Sequence, residues 1–219
     1  MLASQLINIK YPTVNLTDKV SVALTVMEEY DIQYLSVLNG NKFAGLISKD
    51  DLLGANENNT LDSLEYQLIK GAVKGDEHFL NAAKLSSDLH LSIIPVINDQ
   101  NELIGVITAS DLLFNLSKFV GGNEPGGIIV LETERSNYSF GELNRLVETN
   151  DAHITQLNSS SEPGSSLVIV TIKINKIELS DIVATFQRYD YHIRYYFGEE
   201  QYANELKENY NNLIAYLNI

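Results

Sequence analysis

Gly45-Leu46-Ile47-Ser48-Lys49-Asp50-Asp51-Leu52-Leu53 and Gly105-Val106-Ile107-Thr108-Ala109-Ser110-Asp111-Leu112-Leu113 are one phrase written twice, with glycine, hydroxyl residue, aspartate and leucine pair recurring at an offset of 60. Upstream the match continues with a one-residue shift: Val37-Leu38-Asn39-Gly40-Asn41 stands against Val96-Ile97-Asn98-Asp99-Gln100, at an offset of 59. Ala23-Leu24 then aligns with Ala82-Ala83, and Ile32 with Leu91. A repeat that holds register over so many elements means one supersecondary unit used twice.

Each copy has the same local grammar. A short extended lead-in, Thr13-Val14 or Ala72-Val73, precedes a helix. In the first copy Val20, Leu24, Met27 and Tyr30 recur at helical spacing, with Thr17 and Asp18 expected to cap the start. In the second copy Phe79, Ala82, Ala83 and Leu85 do the same. Two strands follow, 34–38 with 42–47 and 93–97 with 102–107, joined by Asn39-Gly40 and Asn98-Asp99, residues that tolerate positive φ. A second helix closes each unit. One β-α-β-β-α unit cannot cover its own sheet, so the two copies are expected to pack face to face.

The doubled motif carries the candidate chemistry. Gly45 and Gly105 lack a Cβ, which permits close approach to the backbone. Ser48 and Thr108 stand where a helix begins, a position whose N–H groups and dipole suit an anion. Asp51 and Asp111 follow one turn later, and a carboxylate can accept both vicinal hydroxyls of a ribose. Ser-x-x-Asp and Thr-x-x-Asp are also capping-box spacing. Caps alone would explain the hydroxyls and acids; they leave unexplained the glycine three residues earlier and the repetition in register.

The unit resembles a CBS domain, and the pair resembles a Bateman module, over residues 1 to about 120. The doubled Gly-x-x-Ser/Thr-x-x-Asp carries the resemblance, and Ile94-Pro95-Val96 fits the family's apolar-Pro-Val strand where the first copy has Leu35-Ser36-Val37. The resemblance implies a non-catalytic sensor of an adenosine-containing nucleotide, with Asp51 and Asp111 on the ribose and Val14, Leu35, Ser36, Val73, Ile94 and Pro95 as walls beside adenine. Taken singly, each of those six is more readily a plain core residue. No cofactor is required; AMP, ADP, ATP or S-adenosylmethionine is the expected ligand class. All four arginines lie beyond residue 130, so cations are scarce where a triphosphate would sit, and fewer phosphates or S-adenosylmethionine fit more easily. Asp50 beside Asp51 disfavours phosphate in the first copy, making Thr108 and Asp111 the stronger half. The alternative is a structural homodimerisation scaffold with unoccupied sites.

Gly121-Gly122-Asn123-Glu124-Pro125-Gly126-Gly127 reads as a linker. Beyond it the pattern is strand 127–133, helix 139–149, strand 152–158, strand 166–174, helix 178–188 and strand 191–197, the split βαβ or ferredoxin-like order. Ser139-x-x-Glu142 is a capping box for its first helix, and Ile128, Val130, Leu143, Leu146, Val147, Ile154, Leu167, Ile169, Val183 and Phe186 are the expected core. Such a domain after two CBS units resembles an ACT domain, and the layout resembles the acetoin-utilisation regulators; a turn Glu134-Arg135-Ser136-Asn137-Tyr138 without glycine points to dimerisation rather than amino-acid binding. In 200–219 Leu206, Tyr210, Leu213, Ile214 and Leu217 form one helical stripe. The expected organisation is therefore a CBS domain over 1–66, a second over 67–120, a linker over 121–127, an ACT-like domain over 128–199 and a terminal helix over 200–219. The fold class is mixed α/β and α+β.

Composition narrows the partners. With 15 Lys and Arg against 29 Asp and Glu the net charge is −14, which repels nucleic acid and anionic lipid. There is no cysteine, so no disulfide, thiolate nucleophile or cysteine zinc site. His78, His90, His153 and His192 are scattered without metal-ligand spacing, and no nucleophile elbow or phosphate loop is present. No apolar run nears the ~20 residues of a membrane span, and Met1 to Lys10 lacks a signal-peptide pattern, so a cytoplasmic location is expected; the resemblance to CBS and ACT domains implies a homodimer with a regulated protein partner.

Overall fold

The computed structural model describes residues 1–161 and 164–198, and the helix expected over 200–219 lies outside them. The chain forms two compact units, Met1–Leu116 and Ser117–Ile219.

In the first unit each repeat builds a three-stranded sheet. Strand β1 (Thr13–Asn15) runs parallel to β2 (Tyr34–Asn39), which forms a hairpin with β3 (Lys42–Ser48). The second copy repeats this with β4 (Val73–Lys74), β5 (Ile93–Ile97) and β6 (Leu103–Thr108). Helices α1 (Val20–Glu29) and α3 (Phe79–Leu89) make the parallel crossovers. The closing helices differ in length: α2 is Lys49–Leu53 with a 3-10 turn at Leu61–Gln67, whereas α4 runs Ala109–Phe119.

Two local expectations are corrected. Thr17 and Asp18 do not cap α1; its N-cap is Lys19, and the Asp18 carboxylate accepts the Asn15 N–H at 2.7 Å. The first N–H groups of α1 are instead taken by backbone carbonyls, Val20 by Asn59 and Ser21 by Glu57, so the helix start needs no side-chain acceptor. In the second hairpin the left-handed residue is Asn101 (φ 63°), because Asn98 Oδ1 accepts the N–H groups of Gln100 and Glu102 and holds the turn there.

The repeats exchange their leading segments. Asn8 pairs with Val106 of β6 (N–O 2.7 and 3.2 Å), and Ile69 pairs with Leu46 of β3 (2.9 Å each way). The hairpin tips also meet, Phe43 N–H donating to Asn101 O at 2.8 Å. The core around Ile94, Val96 and Ile107 accordingly includes Ala3, Phe43 and Leu46 from the first copy.

The second unit is a four-stranded antiparallel sheet of order β10-β7-β9-β8, from β7 (Gly127–Glu134), β8 (Ile154–Ser161), β9 (Leu167–Ile174) and β10 (His192–Phe197). Helices α5 (Phe140–Glu148) and α6 (Ser180–Arg188) complete a ferredoxin-like domain. Its core corrects the expected strand parity: Ile129 and Leu131 of β7 and Val168, Val170, Ile172 and Ile174 of β9 pack inward, which puts Ile128, Val130, Leu167 and Ile169 on the opposite face, where Val130 is nonetheless buried. Consecutive apolar residues such as Ile128-Ile129-Val130-Leu131 do not reveal which face is buried. Ser139 caps α5 by accepting the Glu142 N–H, and the Glu142 carboxylate accepts the Tyr191 hydroxyl at 3.0 Å.

Two outcomes follow. Gly45→Ala and Gly105→Ala should each lower the unfolding free energy by about 2–4 kcal/mol in urea titrations, since each adds a Cβ at φ 154° within 2.7–2.9 Å of Leu68 or Ile7 Cβ. Burial, then the bond to Glu142, pushes the Tyr191 phenol up to about 12. The folded state therefore holds that proton more tightly, so the contribution is full below pH 10 and is lost as pH rises towards 12. Chemical unfolding across that window should show a shallower alkaline decline in Tyr191→Phe than in the parent.

Candidate functional site

The site is built at the turn where the last strand of each repeat becomes a helix. Ser48 closes β3 opposite Tyr34 and is the N-cap of α2. Its hydroxyl donates to Asp51 Oδ2 at 2.5 Å and accepts the Asp51 N–H at 3.1 Å. Thr108 closes β6 opposite Ile93, donates to Asp111 Oδ2 at 2.6 Å and accepts the Asp111 N–H at 3.1 Å. The next N–H is spent alike in both copies, Lys49 on Gln33 O and Ala109 on Ser92 O. The capping geometry is thus present twice. In both carboxylates the bonds fall on Oδ2, and Oδ1 accepts none among the described residues. A carboxylate has about four lone-pair sites, so acceptor capacity remains.

The glycines have a structural employment. A Cβ on Gly45 would stand 2.7 Å from Leu68 Cβ and 3.1 Å from Ile69 O; one on Gly105 would stand 2.9 Å from Ile7 Cβ and 3.2 Å from Asn8 O. The close approach at both positions is made by the exchanged leading segments. The sequence reading missed these segments, although Leu6-Ile7 and Leu68-Ile69 are matching apolar pairs ahead of the two lead-in strands.

The six wall residues are buried. Val14 and Leu35 belong to the core of the first copy, Val73 and Ile94 to that of the second, and Pro95 pairs with Val106. Ser36 differs. It is fully buried, and its Oγ finds no hydrogen-bond partner among the described residues. It pairs with Leu46, whose side chain joins the second copy's core, so Ser36 faces the contact between the repeats.

Two cavities touch the motif residues. One of about 400 Å³ is lined by Asp50, Asp51, Asn56, Asn59, Ser63 and Gln67, among others. Another of about 220 Å³ lies between the leading segment, at Asn8, Tyr11 and Thr13, and β6, at Leu103 to Val106 with Gly105. Asp111 lines neither, so these cavities do not bring the two aspartates together. Burial pushes the Tyr11 phenol up. Two of the first unit's cations are engaged: Lys70 donates to Ala44 O at 2.7 Å, and Lys74 pairs with Asp99 at 2.8 Å, a bond that raises the ammonium and lowers the carboxyl from their ordinary values.

Residues 3–58 and 72–118 match the CBS domain family. The first unit is a CBS-domain pair. Inosine-5'-monophosphate dehydrogenase of Korarchaeum cryptofilum is 29% identical over 126 residues, 54% of this chain and 25% of the dehydrogenase, so the chain spans about a quarter of that relative's length. A CBS domain pair/ACT domain protein from Thermotoga maritima has a similar fold, with TM-score 0.51 and 20% identity over 55% of this chain and 99% of its own. A CBS domain pair solved with 5'-methylthioadenosine and S-adenosyl-L-methionine is 19% identical over 53% of this chain and 99% of its own, at TM-score 0.45. The CBS domain pair is a regulatory, non-catalytic module. Among the described residues no group of three or more His, Asp or Glu could hold a metal ion, and no helix is long and apolar enough to cross a membrane.

Ser36 gives this site a direct test. An unpaired buried hydroxyl is costly, so Ser36→Ala should leave the ligand-free protein as stable or up to about 1 kcal/mol more stable in urea unfolding. A loss of stability would show that the hydroxyl is satisfied in solution.

Proposed function

We propose that the CBS pair senses an adenosine-containing ligand and that the ferredoxin-like, ACT-like domain passes the response to a partner. The supporting observation is the doubled turn: two aspartates, each oriented by a hydroxyl on one carboxylate oxygen and left able to accept on the other. A ribose diol needs such an acceptor, and the fully buried Ser36 hydroxyl offers a donor on the face between the repeats. Thr108 and Asp111 form the better half, with Gly105, Ile94, Pro95 and Val73 around them; Gly45, Ser48, Asp51, Val14 and Leu35 form the other. With Lys70 and Lys74 already bonded, AMP, ADP or S-adenosylmethionine suits the site better than ATP. The protein would act as a cytoplasmic homodimer, in the manner of the acetoin-utilisation regulators its layout resembles.

A thermal-shift panel of AMP, ADP, ATP, S-adenosylmethionine and NAD tests this. A ligand at 100 times its dissociation constant should stabilise the fold by about 2.7 kcal/mol. Asp111→Ala should remove most of that shift, beyond the ~1 kcal/mol lost with the cap itself. A panel that moves nothing leaves the scaffold reading in place, and an undiminished response in Asp111→Ala would reassign the site.

A further inference from the structure

The second unit holds a cavity of about 470 Å³ that takes no part in the CBS turns. Its polar side is a square on two neighbouring strands, where Gln156 of β8 pairs with Lys173 of β9 and Asn158 pairs with Thr171. Its apolar side is Ile128 of β7, which also pairs with Lys173, with Phe119 and Val120 at the end of α4.

A bulge sets the square. Ile154 stands opposite Ile174, and Gln156, two residues on, stands opposite Lys173, so β8 carries one residue more than β9 at this point. Without the extra residue Thr155 would take the place beside Lys173, and Gln156 would turn to the core side with Leu157 moved off it. Bulges re-aim side chains in this way, often beside functional sites.

Lys173 is the cation of the cavity. Its ammonium donates to the carbonyl of Gly121, the left-handed residue (φ 63°) just past α4. A helix C-terminus carries about half a negative charge against the full positive charge of a lysine, so this corner keeps a positive balance of about half a charge. One of the three ammonium donors is spent there, and the Thr171 hydroxyl and the amides of Gln156 and Asn158 supply neutral donors beside the others. No acidic residue lines the cavity among the described residues. Glu124 approaches Gly121, its Oε2 3.6 Å from where a Cβ on that glycine would stand, but it is exposed and screened by solvent.

We propose that this cavity binds a small carboxylic acid with an apolar body, its carboxylate on Lys173 and Thr171 and its hydrocarbon against Ile128, Phe119 and Val120. Small-molecule sites have this build and this range of volume: apolar walls with a few convergent polar groups. A free amino acid fits less well, because its α-ammonium would meet Lys173 and find no carboxylate on the lining. The site lies within the second unit, so the inference stands apart from any nucleotide in the CBS pair.

Calorimetry and ligand-observed NMR on the full chain test this, with hexanoate, octanoate and phenylacetate as probes and hexanol and leucine as controls. At least one acid should bind with a dissociation constant of about 1 mM or tighter, and both controls should bind about tenfold more weakly or not at all. Lys173→Met should weaken the acid about tenfold or more through loss of a charge-assisted hydrogen bond. Thr171→Val keeps the volume, leaves the Gly121 contact alone and should weaken the acid severalfold; it decides the matter alone if Lys173→Met does not fold. No binding of any of the three acids up to about 10 mM would overturn the proposal. So would hexanol or leucine binding as tightly as the acids, or acid binding undiminished in Thr171→Val.

Discussion

Two backbone pairs, Asn8 with Val106 and Ile69 with Leu46, hold the first unit together. Each takes a segment that precedes one repeat and seats it on the last strand of the other. Without it the outer N–H and C=O of β3 and β6 would form open sheet edges, which a folded chain must cover or pair. The seat is tight enough that Gly45 and Gly105 have no room for a side chain. Neither repeat is then complete alone: the first lacks its edge without residues 68–69, the second without residues 7–8. The same exchange carries Ala3 and Leu46 into the second copy's core, so folding of the two halves is coupled through packing as well as hydrogen bonds.

The strand-to-helix turn serves local structure before it serves any ligand. Ser48 and Thr108 close their helices by reciprocal bonds with Asp51 and Asp111, and this fixes χ angles that would otherwise be free. Fixing a carboxylate in advance removes part of the ordering cost of binding. Cap and binding group are therefore compatible uses of one constellation: the cap occupies Oδ2 and orients Oδ1.

Most of this architecture was legible because it is repetitive or periodic. The offset between the two Gly-x-x-Ser/Thr-x-x-Asp phrases revealed the twinned unit, and alternation of strand and helix patterns beyond residue 127 revealed the ferredoxin-like order. What escaped depends on contacts distant in sequence. The carbonyls of Asn59 and Glu57 that start α1 sit some forty residues from it, and no local pattern points to them. The glycines were correctly singled out as places of close approach, yet the approaching group is the chain itself. Parity in β7 was unreadable because both faces are apolar, which is also why that sheet presents a second surface. Ser36 could be named as a wall, but its want of a partner emerges only when Thr13 and Leu46 are placed on either side.

The two copies have diverged in charge while keeping their geometry. At the second position of α2 stands Asp50, and it shares a cavity with Asp51, Asn56 and Asn59. At the matching position of α4 stands Ser110, whose hydroxyl lies 2.8 Å from Thr108 Oγ1. An anionic phosphate oxygen near 4 Å from a carboxylate is disfavoured by about 1 kcal/mol in a fully aqueous setting and about 4 kcal/mol at the effective dielectric of a protein surface. With chain charge at −14 and Lys70 and Lys74 bonded elsewhere, Lys49 beside Asp50 is the cation that the first motif itself offers against that repulsion. The second turn presents hydroxyls at that place, groups that can donate to phosphate or ribose. Twofold geometry with a carboxylate at this position in one copy and a hydroxyl in the other is what separates the two turns electrostatically.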